Sequence, residues 1–178
     1  MKSLDRRQTL AWLTASAVGL PSIASAQPAS AAAEEAKAPP LPALGSLLSV
    51  PRIERLDGTV YEPASSEGQV LLVYWWSSTC PFCALQSPSM EALWRQQRSK
   101  GWQMLALSID RQPAAAQAYL KARGYTFPSA WASPDWRKQF PKPRGLPITL
   151  LRGRDGRLLQ AEKGQMFDED VMALARHG

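Results

Sequence analysis

The segment that decides the fold is Val70-Leu-Leu-Val-Tyr-Trp-Trp-Ser-Ser-Thr-Cys80-Pro-Phe-Cys83. An apolar and aromatic run ends in three small polar residues, and two cysteines follow at C-x-x-C spacing. The run is too short to span a membrane and is rich in Val, Tyr and Trp, which favours a buried strand. Beyond the cysteines, apolar residues recur at roughly helical spacing: Ala84, Leu85, Met90, Leu93 and Trp94. The only two cysteines of the chain are therefore predicted at a strand-to-helix junction.

That junction suits redox chemistry. Cys80 falls at a predicted helix N-terminus, where unpaired N–H groups and the helix dipole stabilise an anion such as a thiolate. Pro81 suits the first helical turn, because its missing N–H would have no partner there. Cys83 lies about one turn further in, close enough to form a disulfide with Cys80. An attacking thiolate with a second, resolving thiol is the arrangement that thiol–disulfide exchange needs.

Two structural roles for the pair are weaker alternatives. A structural disulfide across two intervening residues would close a very small loop and would remove little chain entropy. A zinc site needs about four ligands. The chain has no further cysteine and a single histidine, His177, beside the C-terminus. The sequence therefore predicts neither a resident metal nor a cofactor.

The first 26 residues are typical of a secretory signal peptide. Residues 1–7 are basic, residues 10–20 are mostly apolar, and Ala24-Ser25-Ala26 is an A-x-A cleavage site. Arg6-Arg7 resembles a twin-arginine export signal, with Asp5 and Thr9 as departures from its usual pattern. An uncleaved membrane anchor is the alternative. The predicted location is the periplasm, where disulfides persist.

Residues 27–49 are rich in Ala and Pro, and they are predicted to form a flexible linker before a domain over residues 50–178. The net charge of +6 includes contributions from Lys2, Arg6 and Arg7 in the predicted signal. The remaining basic residues form no stripe interleaved with aromatics, which argues against nucleic-acid binding. A mild preference for acidic partners is all that the charge predicts.

The remaining pattern alternates strands and helices. Asp57-Gly58 predicts a hairpin turn, and the helix after Cys83 is expected to run to about Lys100. A strand at 102–109 and a helix from Pro113 to Gly124 follow. The C-terminal part predicts a short strand at 127–131, a helical turn at 134–140, strands at 148–151 and 157–161, and a helix at 168–176. This order predicts an α/β fold, a mixed β-sheet flanked by helices on both faces.

Several of these features together resemble one family. The segment from Trp75 to Cys83 is similar to the active-site segment of the thioredoxin superfamily. Leu56-Asp57-Gly58, Pro88 and Gly145-Leu146-Pro147 make the chain most similar to the TlpA/ResA group of exported thioredoxin-like proteins. The resemblance covers roughly residues 50 to 178 and implies a thioredoxin-like fold.

The resemblance also implies roles for matching residues. Cys80 corresponds to the attacking cysteine and Cys83 to the resolving one. Pro147 corresponds to a proline that follows a cis peptide bond in the family and packs beside the disulfide. An extended segment of the partner pairs with the backbone there, as in strand addition. Substrate contacts are accordingly expected at Pro147, Leu146, Pro81 and Phe82.

Three positions depart from the family pattern. Thr79 stands where a tryptophan is usual, Tyr74 where thioredoxin has a buried aspartate, and Gln86 where relatives often have glutamate. We therefore predict that proton transfer to Cys83 relies on water or on a group that the sequence does not reveal. Glu91 is a weak candidate for that group, and otherwise an ordinary solvated residue of the helix.

The predicted function is thiol–disulfide exchange with exported protein partners, and the resemblance favours a reductant over an oxidant. A membrane protein is expected either to donate electrons to this protein or to accept electrons from it. Two alternatives remain open. One is peroxide reduction, for which Ser77 fits the expected hydroxyl position but Val73 stands where a proline should be. The other is binding of a soft ion such as Cu(I) by the two thiolates.

Overall fold

The computed structural model describes residue 33 and residues 35–178. The predicted signal peptide, residues 1–26, and the start of the predicted linker lie outside the described residues. The elements are β1 (Ile53–Glu54), β2 (Val60–Tyr61), β3 (Val70–Trp76), α1 (Pro81–Gln97), β4 (Trp102–Ser108), α2 (Pro113–Arg123), β5 (Ser129–Trp131), β6 (Ile148–Arg152), β7 (Leu158–Lys163) and α3 (Asp168–Ala173). Short 3₁₀ turns cover Pro63–Ser66, Trp136–Lys138 and Leu174–His177.

The predicted mixed sheet is confirmed. Its five strands follow the order β5-β4-β3-β6-β7, with β1 and β2 paired separately as a hairpin. The central strand β3 runs parallel to β4 and antiparallel to β6. Every residue of β3 is buried, as expected for an apolar strand covered on both faces. The end of β3, just before the cysteines, therefore lies at the middle of one edge of the sheet.

The three α-helices share one face of the sheet. Alternate residues of β3, such as Leu72 and Tyr74, pack there with side chains of all three helices. The connections from β3 to β4 and from β4 to β5 step in the same direction, and right-handed crossovers then place α1 and α2 on the same face. Helices were predicted on both faces. In the described chain, the opposite face carries the short 3₁₀ helix Trp136–Lys138 together with irregular segments, and Trp136 and Phe140 pack on Trp75 there.

The predicted linker is shorter than expected, because its described C-terminal part packs against the domain. Leu48 and Val50 are buried, and the Gly45 N–H donates to the Leu158 carbonyl at 2.8 Å. The guanidinium of Arg152, itself buried, donates to the carbonyls of Leu48 and Ser66. The ordered contacts thus begin before Pro51, since apolar side chains within this Pro-rich stretch are removed from water.

Helix α1 ends at Gln97, three residues before the predicted end, and contains Pro88 in its interior. Helix α2 ends as predicted, because Gly124 adopts the left-handed conformation that closes it (φ 66°). Within the described part of the chain, every helix is too short or too polar to cross a lipid bilayer.

Candidate active site

The thiol of Cys80 caps the N-terminus of α1. Cys80 has extended backbone angles, Pro81 opens the helix, and the Cys83 N–H donates to Cys80 Sγ at 3.2 Å. The side chain of Cys80 is partly exposed. A sulfur anion at this position faces the partial positive charge of a helix of 17 residues. Cys80 is therefore accessible and electrostatically suited to act as a nucleophile.

Cys83 lies one turn further in and is 1% exposed. Burial raises the pKa of the Cys83 thiol well above its usual range, and the hydrogen bond with Cys80 and the charges of Cys80 and Asp110 act in the same direction. The backbone N–H of Ser77 opposes this shift. The two thiols thus differ strongly in exposure, with the nucleophile outside and the resolving thiol held protonated inside.

Asp110 organises the loop that precedes the cysteines. The carboxylate is 7% exposed and accepts hydrogen bonds from the Ser77 hydroxyl at 2.7 Å and from the Ser78 N–H and hydroxyl at 3.0 and 2.9 Å. The Ser108 hydroxyl donates to its other oxygen at 2.8 Å. In turn, the Ser77 carbonyl accepts from the Cys80 N–H at 3.2 Å. Asp110 therefore connects the end of β4 to the backbone of the redox motif.

Asp110 directly follows the predicted strand at 102–109, and no motif in the sequence assigns it a role. The available signal was topological. Sites in open α/β sheets form beyond the carboxyl ends of parallel strands, and β3 and β4 end side by side, with Trp76 opposite Ser108.

Three of the four residues predicted to bind substrate are near Cys80 and at least partly exposed. Leu146 lines the same cleft as Cys80, a space of about 1120 Å³. Pro81 and Phe82 directly follow Cys80 in the motif and are exposed, Phe82 to 56%. Pro147 is buried, and the Leu146–Pro147 peptide bond is cis, as the resemblance implied.

Tyr74 and Gln86, the two residues that stand where relatives have a carboxylate, form structural hydrogen bonds instead. The Tyr74 hydroxyl donates to the Cys83 carbonyl at 3.3 Å and shares a hydrogen bond with Ser87 at 3.2 Å. Gln86 is fully buried; its amide donates to Thr149 at 2.9 Å and accepts from the Met166 N–H at 2.8 Å. Both side chains hold α1 against its surroundings.

The expectation that Glu91 is a solvated helix residue is wrong, because its carboxylate is buried and is hydrogen-bonded to Arg95, Thr126 and Phe127. Glu91 is 7% exposed and accepts from the N–H groups of Thr126 and Phe127 at 2.7 and 3.0 Å. Arg95 and the Thr126 hydroxyl donate to its other oxygen. Glu91 therefore links α1 to the segment that leads into β5 through buried hydrogen bonds.

A partly exposed thiol at the N-terminus of a helix, with a buried thiol one turn further in and at the edge of a β5-β4-β3-β6-β7 sheet, is the arrangement expected of a thiol–disulfide oxidoreductase of thioredoxin-like fold.

The family is shown by a comparison with protein-family models. The Redoxin model matches residues 35–170. The chain belongs to the Redoxin family, and it is a TlpA/ResA-like member of the thioredoxin superfamily.

Curated relatives carry a consistent name. The chain is 27% identical over 119 residues to the thiol-disulfide oxidoreductase ResA of Bacillus thuringiensis subsp. konkukian, covering 65% of this chain and 67% of that protein. It is 24% identical over 119 residues to ResA of Halalkalibacterium halodurans, covering 67% and 68%. These similarities support protein thiol–disulfide oxidoreductase activity.

Solved structures show the same fold. A thioredoxin-family thiol:disulfide interchange protein of Chlorobium tepidum superimposes with a TM-score of 0.68 at 19% identity, covering 76% of this chain and 97% of that one. A secreted Mycobacterium tuberculosis disulfide oxidoreductase homologous to DsbE of E. coli gives a TM-score of 0.62 at 16% identity, covering 70% and 93%.

Proposed function

We propose that this protein is an exported reductant of disulfides in partner proteins, with Cys80 as the nucleophile and Cys83 as the resolving thiol. The observation that carries the proposal is the asymmetry of the dithiol. Cys80 is partly exposed at a helix N-terminus, whereas Cys83 is buried one turn inside.

The exchange follows from this geometry. The Cys80 thiolate attacks one sulfur of a partner disulfide; a Cys80–partner S–S bond forms, the partner's own S–S bond breaks, and the leaving sulfur takes up a proton. Cys83 then loses its proton and attacks Cys80 Sγ, which forms the Cys80–Cys83 disulfide and releases the second partner thiol. Two electrons pass to the partner. A second dithiol on the same side of the membrane must then reduce the protein again.

The direction of electron flow in this proposal rests on the resemblance to the TlpA/ResA group. A C-x-x-C pair becomes a strong oxidant when the protein stabilises its reduced, thiolate-containing form. Burial and the Asp110 carboxylate both raise the pKa of Cys83, so Cys80 carries the thiolate of the reduced pair. The redox potential therefore depends on how strongly the helix N-terminus stabilises the Cys80 thiolate.

The redox potential tests this proposal. The protein is equilibrated with glutathione buffers of known ratio, and free thiols are trapped with a maleimide and counted by mass. A reductant is expected near the thioredoxin value of roughly −270 mV, whereas a value of about −120 mV would make the protein an oxidant. The Cys83→Ser variant should accumulate a mixed disulfide at Cys80 with a peptide disulfide. Failure of both cysteines to form a disulfide would reject exchange chemistry altogether.

Export is a separate part of the proposal, and it rests on the signal pattern of residues 1–26. Fractionation of a Gram-negative host that produces the full chain should recover the protein in the periplasm. Replacing both Arg6 and Arg7 by Lys should retain it in the cytoplasm if export follows the twin-arginine route. Periplasmic recovery of that variant would reject the route, and cytoplasmic recovery of the unaltered chain would reject export.

A further inference from the structure

The cleft beside Cys80 contains a carboxylate site that the protein fills with its own Glu35. Lys142 Nζ donates to Glu35 Oε2 at 3.0 Å, and the Gly145 N–H donates to Oε1. Residues 36–39, which follow Glu35, contact the same loop at Arg144. The Arg144 side chain donates to the Ala36 carbonyl at 2.5 Å, and the Arg144 N–H donates to the Pro39 carbonyl at 2.9 Å. Residues 35–39 therefore lie along the loop that leads directly into Leu146 and Pro147.

Lys142 is held by backbone carbonyls as well as by Glu35. Its side chain is 10% exposed, and the ammonium also donates to the carbonyls of Pro143 and Gly145 at 2.7 and 2.9 Å. A largely buried ammonium is costly without a counterion. The two carbonyls position the charge, and the Gly145 N–H adds a second donor. This arrangement accommodates the two oxygens of a carboxylate, as Glu35 shows.

The site belongs to the same cleft as the nucleophile. Glu35, Lys142, Leu146 and Cys80 all line it. The lining holds four basic side chains and two acidic ones: Lys37, Arg111, Arg137 and Lys142, against Glu35 and Asp110. Both acidic groups already accept several hydrogen bonds within the protein. The cleft thus presents a predominantly basic wall to an incoming segment, which favours acidic partners.

We infer that the cleft recognises an extended acidic polypeptide segment, whose carboxylate replaces Glu35 between Lys142 and Gly145 while its disulfide lies at Cys80. This inference rests on the proposed function and narrows its partner class. Residues 35–39 of the protein compete with such a partner, because their covalent attachment to the domain gives them a high effective concentration at the site.

Glu35 is suited to exchange with a partner. Its side chain is 42% exposed, and ion pairs of such exposure contribute little to stability. Partial burial acts to raise the pKa of Glu35, but the hydrogen bonds from Gly145 and Lys142 and the charges of Lys142 and Arg144 together lower it. The site therefore favours an ionised carboxylate that can leave without unfolding the domain.

The test uses three disulfide-containing peptides. They differ only in the residues that flank the cysteines, which are Glu, Gln or Lys. The pre-reduced full chain is mixed with each peptide, and its oxidation is followed by thiol trapping in a single turnover. The Glu peptide should react about tenfold faster than the Lys peptide at low salt, and the ratio should shrink at high salt.

Variants of the protein distinguish recognition at the Lys142 site from the effect of the overall positive charge of the cleft. Glu35→Gln should accelerate exchange with the Glu peptide about threefold, because residues 35–39 then compete less strongly. Lys142→Gln should bring the Glu-to-Lys ratio close to one, and Lys142→Arg should retain the preference even if Lys142→Gln folds poorly. The charge-matched control Lys138→Gln removes an exposed lysine that pairs with Asp135 outside the cleft, and it should keep the full ratio.

Equal rates for all three peptides would overturn this inference while leaving the proposed function intact. The same conclusion would follow if Lys142→Gln and Lys138→Gln reduced the ratio equally. Absence of exchange with every peptide would overturn both.

Discussion

The Asp110 carboxylate accepts a 2.7 Å hydrogen bond from the Ser77 hydroxyl, although 33 positions separate the two residues in the chain. They meet because β3 and β4 are parallel neighbours that end at the same edge of the sheet. The contact fixes the residues immediately before Cys80 and brings a negative charge close enough to act on Cys83. One carboxylate thus supports both the geometry and the electrostatics of the redox motif.

Asp110→Asn should weaken the hydrogen bonds that hold the loop before Cys80 and should remove the negative charge near Cys83. The amide keeps the shape of the side chain but cannot accept from all four donors, and the expected loss of stability is about 1–3 kcal/mol. Removal of the negative charge favours the Cys83 thiolate, so the pKa of Cys83 should fall. Urea unfolding measures the first effect. The pH dependence of Cys83 alkylation in a Cys80→Ser background measures the second.

Asp135→Asn is the matched control, because Asp135 is an exposed carboxylate paired with Lys138. Asp135→Asn should change neither the stability of the fold nor the pKa of Cys83 appreciably. Equal alkylation profiles for the Asp110→Asn and Asp135→Asn variants would show that Asp110 does not act on Cys83. Abolition of exchange by Asp110→Asn, with the fold retained, would identify the Asp110 carboxylate as the proton-transfer group of Cys83.

Local patterns predicted the centre of this fold well. The apolar run of β3 and the two cysteines specify a strand followed by a capped helix from nearby residues alone, and both are confirmed. The turn at Asp57-Gly58 and the stop at Gly124 depend on backbone conformations that glycine favours. Such features involve only a few neighbouring residues, which is why the sequence reveals them.

Features that depend on distant partners were missed. Glu91 binds residues 126–127, and Asp110 binds residues 77–78; neither pairing leaves a periodic signal. The contacts of residues 35–50 were missed for the same reason, because Leu48 and Val50 lie in a Pro-rich stretch without helical or strand periodicity. Helix placement on one face followed from strand order, which the pattern of elements did not specify.

The two cysteines should differ sharply in reactivity. In the reduced protein, iodoacetamide should label Cys80 first, because Cys83 is 1% exposed and its pKa is raised. In the Cys80→Ser variant, labelling of Cys83 should be slow at pH 7 and should accelerate only under strongly alkaline conditions. Peptide mapping of the labelled protein by mass spectrometry gives the order. Preferential labelling of Cys83 would contradict the assignment of the nucleophile.

Tyr74→Phe tests whether the residue at the position of thioredoxin's aspartate takes part in proton transfer. The phenol donates to the Cys83 carbonyl, but Ser87 also donates to that carbonyl at 2.7 Å. Loss of the hydroxyl should therefore cost about 0.5–1.5 kcal/mol of stability and should leave the pH profile of exchange unchanged. Chemical unfolding measures the loss of stability. Single-turnover rates between about pH 5 and about pH 9 measure the pH profile of exchange, because thiols titrate near the upper end of this range. A profile displaced along the pH axis would assign a role in proton transfer to Tyr74.

Glu91→Gln should destabilise the fold in a pH-dependent way. Burial acts to raise the pKa of Glu91, but hydrogen bonds from Thr126, Arg95 and Phe127 lower it overall. A carboxyl whose pKa is lower in the folded than in the unfolded state stabilises the fold above its unfolded pKa. That contribution is lost as the pH falls through the lower, folded value.

At pH 7 the Glu91→Gln variant should therefore be less stable by about 1–3 kcal/mol, because the amide cannot replace a carboxylate that accepts four hydrogen bonds. The difference from the unaltered protein should shrink as the pH falls into the range where carboxyl groups titrate. Urea unfolding at a series of pH values measures it, with Glu54→Gln on the exposed side of β1 as the control. A stability difference that stays constant across the series would mean that Glu91 contributes through packing rather than through its charge.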